Sequence, residues 1–176
     1  MLKEEDRAKG LLLNLTGDGK GKSSSAFGIA VRALGWEWRV AVLQFIKGGR
    51  PTGERNFFRK YVPGMMFESC GLGLTKGPGD HASAAAAGWE RAKELLRGFD
   101  GELLILDELN IAVRHGYLDA AEVAAALSGR RAGLNVIVTG RGAAPELLEI
   151  ADLVSEIRAV RHPFLNGEPA RKGLDY

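Results

Sequence analysis

The chain holds one cysteine, Cys70, in 176 residues. A lone thiol excludes an internal disulfide and a metal site built from cysteines. Cys70 itself reads as a small buried residue at a strand end rather than a reactive thiol. His81, His115 and His162 have no metal-ligand spacing, so they are expected as satisfied or surface side chains. No apolar run approaches the ~18 residues of a membrane span. The first residues, Met1-Leu2-Lys3-Glu4-Glu5-Asp6-Arg7, are charged and show no apolar signal region. No membrane contact and a cytoplasmic location are therefore expected. The formal net charge is only +2, too small to argue for nucleic acid as a partner. No Ser-His-Asp or Cys-His nucleophilic arrangement is present. The remainder is ordinary for a soluble globular protein, 45% hydrophobic and 26% charged, in a chain long enough for one sizeable core.

Against that background one segment stands out. Residues 16–25 read Thr-Gly-Asp-Gly-Lys-Gly-Lys-Ser-Ser-Ser, directly after the apolar run Leu11-Leu12-Leu13-Asn14-Leu15. A strand emptying into a glycine-rich loop and then a helix is the context of a phosphate-binding P-loop. Glycine permits positive φ, so successive N–H groups of the loop can face one concavity. The helix expected over Ser23–Leu34 adds its positive dipole end. Gly17, Asp18, Gly19, Lys20, Gly21, Lys22, Ser23 and Ser24 are the expected nucleotide contacts. Lys22 is placed to reach terminal phosphates, and the Ser23 hydroxyl to meet Mg2+. The strict motif asks for glycine at position 16, where this chain has Thr16.

Apolar and helical runs then alternate. Strands are expected over Leu11–Leu15, Val40–Ile46, Met65–Glu68, Leu103–Asp107, Asn135–Thr139 and Leu153–Ile157. Helices are expected over Ser23–Leu34, Glu54–Lys60, His81–Arg97, Ala120–Leu127 and Pro145–Ile150. The pattern predicts an α/β fold, a RecA-like P-loop three-layer sandwich with a mainly parallel sheet of about six strands. No repeat or linker divides the chain. One domain over 1–176 is expected, with 1–9 a flexible N-terminal segment and 161–176 an ordered C-terminal tail.

Leu103-Leu104-Ile105-Leu106-Asp107-Glu108 is an apolar strand ending in two carboxylates. In P-loop folds such a strand is expected beside the phosphate loop, where its terminal acids approach the metal and Asp107 or Glu108 binds it directly or through water. Arg141, in Thr139-Gly140-Arg141-Gly142, is suited to stabilising charge on the phosphates. Arg32 ends the first helix and is expected either to touch the nucleotide or to pair with that helix's C-terminal dipole. Trp89, in a helix with Ala84–Ala87, reads as packing. These residues define a Mg-nucleotide site but leave its use open. A P-loop ATPase or small-molecule kinase working at the γ-phosphate fits them. So does a nucleotide sensor without turnover.

The wider pattern is more specific. After the loop come Val42-Leu-Gln-Phe-Ile-Lys-Gly48, Gly53-Glu-Arg-Asn56, Leu106-Asp-Glu-Leu109, Val138-Thr-Gly-Arg-Gly142, Ser155-Glu-Ile-Arg158 and Gly173-Leu-Asp-Tyr176. In this order, from about residue 10 to the end, the chain closely resembles the corrinoid adenosyltransferases of the CobA/BtuR/CobO type. The resemblance implies transfer of the 5′-deoxyadenosyl group of ATP to Co(I) of a reduced corrinoid, with triphosphate leaving. It also implies Mg2+, or Mn2+ in its place, an external electron donor such as a flavoprotein, and a homodimer. Triphosphate would lie in the loop so as to present C5′ rather than the γ-phosphate, with Lys22 and Arg141 as the catalytic side chains. Relatives carry a Gly-Phe-Thr-Trp block where this chain reads Gly71-Leu72-Gly73-Leu74. Corrinoid contacts at Leu72 and Leu74 are implied there, apolar but without aromatic bulk. Some relatives also cover the partner's site with an N-terminal helix, a cover expected to be reduced in this chain.

Overall fold

The computed structural model describes residues 9–46, 48, 51–73 and 79–176, side chains 164 and 165 excepted. Six strands form one sheet in the order β3-β2-β4-β5-β1-β6. They are β1 (Leu12–Thr16), β2 (Val40–Gln44), β3 (Met66–Ser69), β4 (Leu103–Asp107), β5 (Asn135–Thr139) and β6 (Leu153–Glu156). Every neighbouring pair is parallel. All C-terminal strand ends therefore share one edge, where ligands bind in open α/β sheets.

Period-two alternation explains the layers. Leu103 and Ile105 of β4 point to one face, where they meet α1 (Lys22–Leu34) through Ala26, Phe27, Ala30 and Ala33, and α2 (Gly53–Tyr61) through Phe58. Leu104 and Leu106 point to the other. There they meet α3 (His81–Gly98), α4 (Leu109–Arg114), α5 (Ala120–Ser128) and α6 (Pro145–Glu149). The result is the expected three-layer α/β sandwich. Trp89 of α3 packs in the core at 2% exposure, its indole N–H donating to Glu122 at 3.1 Å. The edge strands are not covered on both sides: β6 is exposed throughout, with Leu153 and Val154 each 45% exposed.

The acid-tipped strand β4 is separated from the phosphate-loop strand β1 by β5, which pairs with both. Two features depart from expectation. Helix α4 was not anticipated, since six residues are too few to show a helical period. Strand β2 stops at Gln44, after which Phe45 N–H still donates to the Asp107 carbonyl at 3.0 Å. Cys70 directly follows β3 and is half-buried, and burial pushes its thiol up to about 11. Among the described residues no helix is long and apolar enough to cross a membrane.

Candidate active site

The loop after β1 takes its shape from glycine. Gly17 has φ 99° and Gly21 φ 121°, a region that favours glycine. A Cβ on Gly17 would lie 2.4 Å from the Ile157 carbonyl oxygen, so the chain after β6 presses directly on the loop. Gly19 N–H donates to that same carbonyl at 2.7 Å. Helix α1 then starts with no side-chain cap and no acidic residue in its first turn. Its positive end faces an anion site unopposed by a carboxylate of its own turn.

Lys22 is 7% exposed, and its ammonium donates to the Gly19 carbonyl at 2.5 Å. Burial holds its pKa below the ordinary lysine value, and the charge of Arg141 lowers it further. Glu108 and Asp18 oppose the shift. Lys22, Arg141, Glu108 and Asp18 thus lie close enough at the loop to feel one another's charge.

The two acids after β4 divide their work. Asp107 is fully buried, accepting from the Gln44 amide at 2.9 Å on one oxygen and from the Thr139 hydroxyl at 2.8 Å on the other. It does not line the cavity. Glu108 does line it. Its backbone is left-handed, φ 63°, and its N–H donates to the same Thr139 hydroxyl at 2.9 Å. Ser69, Gln44, Asp107, Thr139 and the Glu108 N–H form a chain of hydrogen bonds across the ends of β3, β2, β4 and β5.

A cavity of about 590 Å³ opens at this edge, within the range of small-molecule sites. Gly19 to Ser24 form one wall, Gly53 and Glu54 another, and Glu108, Ile111 and Arg141 a third. His162 and Gly173–Tyr176 close it. Lys20 pairs with Asp175, whose carboxyl is held below its usual range by the Arg171 N–H and by Lys20. A second cavity, about 910 Å³, adjoins the first and shares Lys20, Arg141, His162, Leu174 and Asp175 with it. Asp18 lines only this second space.

The structure therefore brings together Gly19, Lys20, Gly21, Lys22, Ser23, Ser24, Glu108 and Arg141. It does not bring in Arg32, which is exposed in the last turn of α1. Ten residues of helix carry it about 15 Å from the loop, outside the cavity that the loop lines. Leu72 is 52% exposed and outside both cavities, and Leu74 lies outside the described residues. Sequence reasoning missed Glu54, His162 and the tail residues. Only the ordered Gly-Leu-Asp-Tyr ending hinted at them. Among the described residues no cluster of three or more His, Cys, Asp or Glu could hold a metal. Any ion here would rest on a few protein donors and on substrate phosphates, as is usual for Mg2+.

The fold and loop define a P-loop nucleotide-binding protein of the kind with one strand between the loop strand and the acid strand. Comparison narrows this. Residues 8–176 match the family described as ATP:corrinoid adenosyltransferase BtuR/CobO/CobP, and the chain belongs to that family of transferases. It is 46% identical to a corrinoid adenosyltransferase of Pseudomonas aeruginosa over 171 residues, covering 96% of this chain and 84% of the relative. Identity is 42% to the corrinoid adenosyltransferase of Escherichia coli K12, covering 96% and 86%. It is 40% to corrinoid adenosyltransferase CobA of Salmonella typhimurium, with the same coverage.

Proposed function

We propose that this chain transfers the 5′-deoxyadenosyl group of MgATP to Co(I) of a reduced corrinoid, in adenosylcobalamin synthesis or salvage. The cobalt electron pair forms the Co–C5′ bond. The C5′–O bond breaks and its electrons leave with triphosphate. The observation that carries this reading is the convergence of Lys22, Ser23, Glu108 and Arg141 on one cavity. The chemistry needs no nucleophile or general base from the protein. It needs C5′ held in place and a departing polyanion stabilised.

Lys22, the loop amides and Arg141 supply that stabilisation, with Lys20, Gly17, Gly19, Gly21 and Ser24 shaping the phosphate bed. Lys22 is already buried and anchored on Gly19, so little reorganisation is needed when charge develops. Ser23 and Glu108 would hold Mg2+, which would neutralise phosphate charge when bound. Asp107 fixes the backbone that aims Glu108. Leu72 offers an exposed apolar side chain to the corrinoid. The electron that makes Co(I) comes from an external donor such as a flavoprotein, since a chain with one cysteine has no thiol pair to supply it. The chain works as one cytoplasmic domain and as a homodimer, for which Trp36, Phe57 and Tyr61 supply exposed apolar surface.

The test mixes protein, MgATP and chemically reduced cobalamin. The absorbance change of the light-sensitive Co–C bond should appear, with triphosphate as co-product, and Lys22→Ala should abolish both. Steady ADP release without that bond would overturn the reading.

A further inference from the structure

Thr16 stands where the strict phosphate loop has glycine, and its side chain is turned inward at 8% exposure. Its hydroxyl accepts the Ala143 N–H at 3.2 Å. Three residues earlier, Gly140 N–H donates to the Leu15 carbonyl at 3.2 Å. The turn that carries Arg141 is thus tied at both ends to β1, the strand that feeds the phosphate loop. Beneath it, Asn14 and Asn110 exchange amide hydrogen bonds of 2.8 and 3.3 Å, and Asn110 also donates to the Gly140 carbonyl at 3.2 Å.

These ties matter because the turn has little stiffness of its own. Gly140 and Gly142 both take positive φ, 130° and 64°, and Arg141 between them is exposed. Arg141 also shares its cavity with the ammonium of Lys22. Like charges across a cavity push apart. A glycine-hinged turn yields to that push unless anchored, and the Ala143 anchor is a hydroxyl that glycine at position 16 would lack.

We propose that Thr16 is a positioning residue: its hydroxyl holds the Arg141 turn against the phosphate loop, so that Arg141 and Lys22 act on one polyphosphate. This rests on the reading that Arg141 stabilises the leaving triphosphate. The departure from the strict loop motif is then part of the catalytic arrangement.

A double-mutant cycle tests it. Parent, Thr16→Val, Arg141→Ala and the double variant are assayed for Co–C bond formation with chemically reduced cobalamin, alongside Thr16→Ser. Thr16→Val should lower kcat on the order of tenfold, the loss of one well-placed hydrogen bond, with the KM for ATP changed less than about twofold. Thr16→Ser, which keeps the hydroxyl, should restore most of the rate. In the Arg141→Ala background Thr16→Val should cost nothing further. If Arg141→Ala leaves turnover intact, the underlying reading of Arg141 fails. If Arg141→Ala is damaging and Thr16→Val costs its full factor in both backgrounds, Thr16 acts elsewhere and the inference fails. A Thr16→Val protein with parental kcat overturns it equally. Thr16→Ala carries the same cycle should the valine variant not fold.

Discussion

Removing the Thr139 hydroxyl should be expensive in stability, because one oxygen serves two partners at a position with no solvent access. Thr139 is 0% exposed, as is Asp107. The hydroxyl donates to the Asp107 carboxylate at 2.8 Å and accepts from the Glu108 N–H at 2.9 Å. Thr139→Val keeps the shape and removes both bonds. The bond to the carboxylate involves a charged group and is worth about 2 kcal/mol, while the amide bond adds about 1. Water cannot replace either, so the sum of about 3 kcal/mol stands. For a chain of this size each kcal/mol moves Tm by roughly 2–4 °C, giving a fall of about 6–12 °C. Glu108 also loses the contact that secures its left-handed backbone, a conformation that costs a non-glycine residue about 1–2 kcal/mol. Thermal unfolding followed by circular dichroism measures the shift, and Thr139→Ser, which keeps the hydroxyl, should recover most of it. A Thr139→Val protein melting within about 2 °C of the parent would refute the reasoning. It would mean that Asp107 finds another donor at no cost.

Two further outcomes follow from the pKa directions. Lys22 lies below its ordinary value of 10.5, so between its folded value and 10.5 the unfolded chain binds more protons and stability rises with pH. Below that window the full cost of burying the charge is present. Lys22→Met should therefore melt higher than the parent at pH 7, by a margin that shrinks as pH climbs toward 10.5. A scanning melt across that range checks it, and a margin independent of pH would contradict it. Cys70, pushed up to about 11 by burial first and then by Glu68, should be about 1 in 10³ thiolate at pH 8. A thiol-specific disulfide reagent should label it slowly in the folded protein and quickly in denaturant. Equal rates would show the thiol is not held protonated.

The parts of this site that were legible in the sequence are those built by neighbours along the chain. Lys22 and Ser23 are set by a strand, a loop and a helix within some twenty residues, and spacing alone places them. Asp107 and Glu108 were legible as a pair but not as separate roles. Which acid reaches the cavity depends on the left-handed turn at Glu108 and on Gln44 and Thr139, both from other strands. The closure of the cavity was not legible either, since Lys20 and Asp175 stand 155 positions apart. The two readings of Arg32 could not be separated by spacing alone, because helix rise carries it away from the loop even though its helix begins there. The fold came through well because each central strand is apolar on both faces, whereas the strand order, with β5 between β1 and β4, leaves no local trace.

That strand order has a consequence for how the protein is made. The phosphate-loop strand β1 leaves the ribosome well before either of its two neighbours, β5 and β6. Leu11, just before β1, donates its N–H to the side chain of Asn135 in β5, 124 positions away. At ordinary elongation rates the nascent chain carries an unpaired apolar strand, Leu12-Leu13-Asn14-Leu15, for on the order of 10 s before a partner exists. During that time the cavity has only its phosphate-loop wall, because the Arg141 turn and the tail that line it have not been synthesised. Slow synthesis between β1 and β5 prolongs the interval in which β1 is exposed to other chains.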